Sequence, residues 1–520
     1  MAFSGGLVLT DLNDFISPSQ ACVKPVEVKK TAESNSSGTI KIDNSGGYYE
    51  VGVEGEETKL EAASITLNDC LACSGCITSA ESILVSMQSQ EELFNVLKAN
   101  KAALESGAPQ NVRTVIISIS PQSRASIAAK YNLTPLQVAK RLTWFFKNLG
   151  VHQVFDTSFS RDFSLVESAR EFVGKYKKWQ SQNPTPIVEE TVNAPKRMRR
   201  APPKASDISA DSAMPMLASA CPGWICYAEK THGYLLPHIS TTKSPQQIMG
   251  SLVKDFHGKR LGLNPDQIYH VCVMPCYDKK LEASRQDFYN DVYKTREVDC
   301  VITTGEVEMM FQEQNTTISE FGEADLDAPY TKAVMDPNCN SETLLGSSGS
   351  SSGGYLEYIF KYAARELFGL DIGNVNDSPH VTVKTLRTAD FYEVCLMDGQ
   401  KELLKFAGAY GFRNIQNLVR KVKLGRSPYH FVEVMACPSG CINGGGQLKH
   451  PSEVNLKEWL TKVDEIYKSV DGLLPEQNET VIKLYSEWLG GLDSEIAQKV
   501  LHTQYHAVEA NLQNPLAVKW

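Results

Sequence analysis

Apolar positions are unevenly distributed along the chain, and their spacing predicts most of its elements. Thr114–Ser120 (TVIISIS) is a β-branched run of the buried-strand type. Thr134-Pro135 then supplies an N-cap and first-turn pair, Leu142, Phe145, Phe146 and Leu149 recur at helical spacing, and Gly150 marks the stop. Val151–Asp156 reads as the next strand, so strand, helix and strand follow one another as in a βαβ unit of a parallel sheet. Met214–Ala220, Ile268–Met274, Cys300–Thr304 and Phe431–Ala436 are further strand candidates, which predicts an α/β fold. The last segment is helix-like, through Ile482, Leu484, Trp488 and Leu489 and then from Ile496 to Tyr505.

Polar stretches divide this pattern. Ser34–Gly38 and Asn44-Ser45-Gly46-Gly47 read as loop, and residues 1 to about 60 lack long apolar runs. Five prolines and the basic cluster Lys196-Arg197-Met198-Arg199-Arg200 between about 180 and 206 read as a surface insertion; a solvated basic loop is favoured over a nuclear-import signal. Gly346–Gly354 (GSSGSSSGG) is either a linker or a glycine-rich turn opening a helix at Tyr355. The expected organisation is an N-terminal region over 1–110, a main domain in two lobes over 111–454 and a helical tail over 455–520.

Composition narrows the function. The 520 residues are 42% hydrophobic, enough to bury real cores, and the net charge of −9 argues against a nucleic-acid binder. No apolar run reaches the roughly 18 residues a membrane span needs. Met1–Phe15 carries Asp11 and Asp14 and no basic flank, so it does not read as a signal peptide. A reducing, cytoplasmic setting is therefore expected, where thirteen cysteines point to thiolate ligation of metal ahead of disulfides.

Two cysteine groups stand out. Cys70-Leu-Ala-Cys73-Ser-Gly-Cys76 has the spacing that wraps one turn of chain around three corners of an iron–sulfur cubane. The fourth ferredoxin position is Ala80, and Cys22 is the only other cysteine in the N-terminal two hundred residues, so Cys22 is assigned as the fourth ligand. Zinc is the competing metal there. Cys221, Cys276 and Cys437 each come at or just past a predicted strand end, where sites gather in parallel sheets, and Cys441 follows Cys437 through a turn. Gly444-Gly445-Gly446 would let backbone approach a bulky cofactor. Together these four read as a second cluster site, whereas Cys272 reads as core and Cys226, Cys300, Cys339 and Cys395 lack partners at ligand spacing.

With these motifs the chain resembles the iron-only ([FeFe]) hydrogenase superfamily from about Val112 onward. The resemblance rests on SPQSR (Ser120–Arg124), VFDTSFSRD (Val154–Asp162), CPGW (Cys221–Trp224), SPQQIMG (Ser244–Gly250), MPCYDKKLEASR (Met274–Arg285), TTGE (Thr303–Glu306) and ACPSGCINGGGQ (Ala436–Gln447). LYSEWL (Leu484–Leu489) and LHTQYH (Leu501–His506) resemble the small-subunit region of those enzymes. The resemblance implies two parallel-sheet lobes flanked by helices, a cubane on Cys221, Cys276, Cys437 and Cys441, and a catalytic di-iron unit bridged through the Cys441 position. It also implies a proton-relaying cysteine just before CPGW, and that position is Ala220, which has no proton to give. Lys279, the counterpart of a residue that bonds a ligand of the di-iron unit, is present. The Ser352-Gly353-Gly354 end of the Ser/Gly run is similar to a turn before a helix in those enzymes, which favours the turn over the linker.

The incomplete N-terminal motif and the opening LTDLNDFISPSQACVKP (Leu9–Pro25) resemble the nuclear prelamin-A recognition factor-like family of cytosolic Fe–S assembly factors. This implies two [4Fe–4S] clusters, a non-catalytic role in moving clusters from an upstream scaffold to apoproteins, and contact with a targeting complex built around a WD40-repeat protein. The terminal Val518-Lys519-Trp520 fits a docking tripeptide at Trp520 and departs from it at Lys519. The rival readings are an active hydrogenase-type redox enzyme and a nuclear scaffold that uses clusters only for folding.

Overall fold

The computed structural model describes residues 84–183, 209–336, 341–386 and 388–508, with the backbone of three short strands, Thr39–Ile42, Tyr48–Val51 and Glu57–Lys59. Cys22, Cys70, Cys73, Cys76, Cys339, Trp520 and the insertion from residue 184 through 206 lie outside the described residues. The chain divides into two compact units, Gln20–Ser82 and the remainder. In the smaller unit the three strands form one antiparallel sheet.

The larger unit contains two main sheets. The first has the order Cys300–Thr303, Ile268–Met274, Thr114–Ile119, Gln153–Asp156, with every pairing parallel. All seven residues of Ile268–Met274 are buried, as expected of a central strand covered on both faces. The helix Pro135–Asn148 returns the chain between its two strands; Thr134 and Gln137 close a capping box at its start, and Val138, Leu142, Phe145 and Phe146 face the sheet. Gly150, at φ +101°, makes the turn that Gly alone adopts without strain.

The second sheet has the order Val381–Thr385, Phe391–Asp398, Lys401–Tyr410, Phe431–Met435, Met216–Ala218. Its last two pairings are parallel and its first two antiparallel, so the expected parallel lobe carries an antiparallel edge. The reversal follows from the short turn at Gly399, φ +59°, which is too short for a parallel crossover. Glycine also decides the Ser/Gly run: Gly354, φ +71°, is the N-cap of the helix Tyr355–Phe368, so the run ends as a turn and not as a linker.

The tail packs onto the lobes. In the helix Leu456–Lys468, Trp459, Val463 and Tyr467 pack on Ala125 and Ala129 of the helix Pro121–Tyr131. Val481, Leu484, Tyr485 and Trp488 pack with Phe159 and Phe163 of the long helix Thr157–Gln182, while Ile482 is exposed. Asn478 donates to Asp162 at 3.0 Å, and Asp162 is ion-paired with Lys332 at 2.6 Å, both fully buried. The last helix runs only over Glu495–Leu501, and 502–508 is irregular, held by backbone bonds such as Thr503 N–H to Thr241 O at 2.8 Å. No helix among the described residues is long and apolar enough to cross a membrane.

Two buried histidines make the fold acid-sensitive. His270 lies on the central strand with Nδ1 3.1 Å from the Glu297 carbonyl oxygen, which only accepts, so Nδ1 carries the proton and Nε2 accepts from the Ser118 hydroxyl at 2.8 Å. Burial pushes its pKa down to about 3, and burial beside Arg260 takes His257 to about 4. Both values lie below the unfolded value near 6.5, so stability is full above about pH 6.5 and falls as pH drops toward the folded values. In urea titrations from pH 7 to pH 4, wild type is expected to lose stability, with His270 alone contributing up to about 3 kcal/mol over this range. His270→Asn flattens that slope; an unchanged slope would remove His270 as a cause.

Candidate iron–sulfur site

The four cysteines assigned from strand ends are brought together at the junction of the two sheets. Cys221 caps the helix Pro222–Thr231 just after the edge strand Met216–Ala218. Cys437 lies just past Phe431–Met435, the neighbouring parallel strand, and Cys441 sits in the short 3-10 turn Gly440–Asn443. Cys276 comes from the other sheet, two residues past Ile268–Met274. The Cys221 thiol accepts from the Ala436 N–H at 3.4 Å, and Ser219 Oγ accepts from the Cys221 N–H at 3.0 Å.

Backbone contacts join these segments. Gly446 N–H donates to the Pro275 carbonyl at 2.9 Å, and Gly305 N–H donates to the Gly446 carbonyl at 2.9 Å. A Cβ on Gly444 would collide with the Pro275 carbonyl oxygen, and one on Gly446 would stand 2.7 Å from Thr303. At these two positions glycine is required by close approach. Ser352, at the end of the Ser/Gly run, accepts from the Cys441 N–H at 3.0 Å and occupies the space a Cβ on Gly440 would need. A chain of side chains ties three motifs together: Gln447 Nε2 donates to Gln122 O at 3.1 Å, Gln122 Nε2 to Ser351 O at 2.8 Å, and Thr304 to Gln447 Oε1 at 2.8 Å.

Burial dominates the electrostatics of the four thiols. Burial pushes the Cys221 thiol up to about 12, with Asp278 and Cys441 adding to the shift. Cys276 and Cys437 rise well above the ordinary thiol range, through burial first and then through Asp278 and the other cysteines of the group. The Cys276, Cys437 and Cys441 residues are half-buried, with their thiols on the inner side, and Cys221 is buried. Cys441 is raised by burial, but Lys279, Ser352 and Arg161 all pull it downward. Lys279 itself is buried and paired with Glu282 at 2.8 Å.

These residues fit a [4Fe–4S] group: four converging sulfur donors, a glycine cradle, and two cations beside one ligand. Among the described residues no three His, Cys, Asp or Glu side chains close around a single ion. Cubane thiolates each hold a different iron and so stand farther apart than the ligands of one ion. Ala220 lines a solvent-open pocket with Cys221, Cys226, Ser244, Glu282 and Arg285. Cys272, read as core, is buried; of the cysteines without partners at ligand spacing, Cys300 is buried and Cys226 and Cys395 are half-buried. Arg161 and Ser352 fall within stretches that carry the resemblance, but neither they nor Tyr467 read as site residues from the sequence.

Comparison with known proteins gives the lineage. Residues 113–445 match the family described as iron only hydrogenase large subunit, C-terminal domain, and 457–508 match iron hydrogenase small subunit. The cytosolic Fe-S cluster assembly factor narfl of Xenopus tropicalis is 51% identical over 520 residues, covering 100% of this chain and 99% of that protein. The chain belongs to the cytosolic Fe–S cluster assembly factor family. Cytosolic iron-sulfur assembly component 3 of Rattus norvegicus is also 51% identical, over 519 residues, covering 100% of this chain and 99% of that protein. Among solved structures, an apo [FeFe]-hydrogenase from Chlamydomonas reinhardtii matches with a TM-score of 0.59 and 25% identity, covering 76% of this chain and 95% of that one. The assembly-factor family thus shares the iron-only hydrogenase-like fold, small-subunit-like tail included.

The glycine cradle is testable without a cluster. Gly444→Ala is expected to lower stability by about 1–3 kcal/mol in urea titration, because its methyl meets backbone that has no room to yield. Gly373→Ala, with nothing within 4 Å of the new methyl, serves as the control and is expected to be near neutral. Equal effects at both positions would remove the cradle.

Proposed function

We propose that this assembly factor carries two [4Fe–4S] clusters and works without hydrogenase catalysis, helping to deliver clusters from a scaffold to target apoproteins in the cytoplasm. The observation that carries this is the meeting of Cys221, Cys276, Cys437 and Cys441 at the ends of strands from two sheets. Cys22, Cys70, Cys73 and Cys76 are the proposed ligands of the other cluster, on motif spacing alone. The names of the full-length relatives support a place in cytosolic Fe–S assembly. Docking of Trp520 on the WD40-repeat component of a targeting complex is part of the same proposal.

The chain's own residues define what the enclosed site does. Four thiols from three separate segments hold one group, so release requires loosening of several elements at once. Gly444 and Gly446 let the Cys441 loop pack against Pro275 and Thr303, Ser352 fixes that loop, and Lys279 and Arg161 offset negative charge. Ala220 supports the non-catalytic reading, because a methyl at this point of the pocket neither gives nor takes a proton. Lys279 is held by Glu282 at 2.8 Å.

Iron, sulfide and EPR measurements on anaerobically purified protein test the cluster count. About eight irons per chain are expected, falling to about four in Cys73→Ala and in Cys437→Ala. Retention of all iron in either variant would contradict the assignment at that site. A second measurement addresses catalysis: no hydrogen evolution is expected, and no infrared bands of carbon monoxide or cyanide ligands. Such bands would establish a di-iron unit and overturn the non-catalytic reading.

A further inference from the structure

Arg161 presents an electrostatic problem that the rest of the fold does not solve. It lies on the long helix Thr157–Gln182, is only 3% exposed, and makes no ion pair among the described residues. Its guanidinium donates to the Tyr467 hydroxyl, whose ring lies 5.9 Å away, and its Nε has no acceptor among the described residues. The other buried cations nearby are treated differently: Arg124 is paired with Asp156, Lys332 with Asp162 and Lys279 with Glu282.

The acids within electrostatic reach of Arg161 are already engaged. Asp162 points to Lys332 and Asn478. Glu433 accepts from the Leu356 N–H at 2.7 Å, the Tyr410 hydroxyl at 2.5 Å and Ser350 Oγ at 3.1 Å. A guanidinium never gives up its charge, and leaving one buried without an anion costs several kcal/mol. Geometry leads from its helix to the cysteines: one turn on, Ser164 Oγ is bonded to the Tyr355 hydroxyl at 2.7 Å, the Tyr355 ring stands against Gly353, and the adjoining Ser352 accepts from the Cys441 N–H at 3.0 Å, so that Tyr355 and Cys441 lie within electrostatic reach of Arg161. A [4Fe–4S] core in its 2+ state on four thiolates has a net charge of about −2, which is the anion this cation lacks.

We propose that Arg161 is the buried counter-charge of the cluster held by Cys221, Cys276, Cys437 and Cys441, kept beside Cys441 by the Tyr467 hydroxyl of the small-subunit-like tail. It is a positioning residue: it ligates no iron but sets the cluster's potential and retention. A positive charge close to a cluster favours the reduced, more negative state and so raises the potential. Because Tyr467 belongs to the helix Leu456–Lys468, the tail contributes to the cluster's environment from outside the ligand loops. The inference rests on the reading that these four cysteines hold a cubane.

The test uses the full chain in a Cys73→Ala background, so that one cluster dominates the spectrum. Redox-poised EPR and iron loss to a chelator are followed for the Arg161 parent, Arg161→Met, Arg161→Lys and Tyr467→Phe, with urea titration of each apoprotein. Arg161→Met is expected to shift the midpoint potential negative and to speed iron loss by about tenfold, while its apoprotein is as stable as the parent or more so. Arg161→Lys restores most of both properties, and Tyr467→Phe moves them in the same direction as Arg161→Met but less. A purely structural role predicts instead equal destabilisation of apo and loaded forms, an unmoved potential and no rescue by lysine; that result would overturn the proposal. Absence of any cluster signal in the parent would fell the cluster reading itself, whereas a parent signal that Arg161→Met leaves unmoved fells only this inference.

Discussion

Four buried thiols held at one junction are the constraint around which the larger unit is organised. Burial disfavours every thiolate there, and at Cys221, Cys276 and Cys437 the neighbouring thiols push the pKa up further, which gives the arrangement no acid–base rationale at neutral pH. It makes sense for metal ligation, which takes the proton's place on sulfur. To bring the thiols together the fold joins two sheets at their strand ends. Close backbone approach at Gly444 and Gly446 then locks the Cys276 and Cys441 segments to one another. The mixed second sheet serves the same end, because its parallel half places Cys221 and Cys437 at the same edge of the layer.

The tail reinforces this junction from outside. Trp459, Val463 and Tyr467 cover the helix that begins the SPQSR motif, while Asn478 and Tyr485 bond to Asp162 and Glu167 of the long helix. The long helix thus meets the tail at Arg161, Asp162 and Glu167, through Tyr467, Asn478 and Tyr485. Solved [FeFe]-hydrogenases share this scaffold. Here Ala220 supplies a methyl where the superfamily resemblance implies a relay cysteine, and the scaffold is proposed to serve cluster handling in place of turnover.

Much of this was readable in the sequence. Thr114–Ser120 and Ile268–Met274 are apolar, β-branched runs that read as buried strands, and the end of the second locates Cys276 directly. Thr134 with Pro135 marked a helix start that the structure reproduces as a capping box. The antiparallel edge was not legible: Phe391–Asp398 and Lys401–Tyr410 are interrupted by Glu393, Lys401, Glu402 and Lys405, and their pairing depends on the turn at Gly399. The helical pattern expected to continue to Tyr505 stops at Leu501, where the chain turns to backbone bonds with the 241 segment. Ser352, Arg161 and Tyr467 acquire their roles from contacts between segments more than eighty residues apart, which no local periodicity encodes.

The central claim is that one iron–sulfur cubane sits among Cys221, Cys276, Cys437 and Cys441. An anomalous difference map at the iron edge, from crystals of the anaerobically purified full chain, tests it most directly. The account expects iron density for about four atoms enclosed by these four cysteines, each iron next to one thiolate. A single metal atom there, or no iron with the four thiols otherwise engaged, would contradict it.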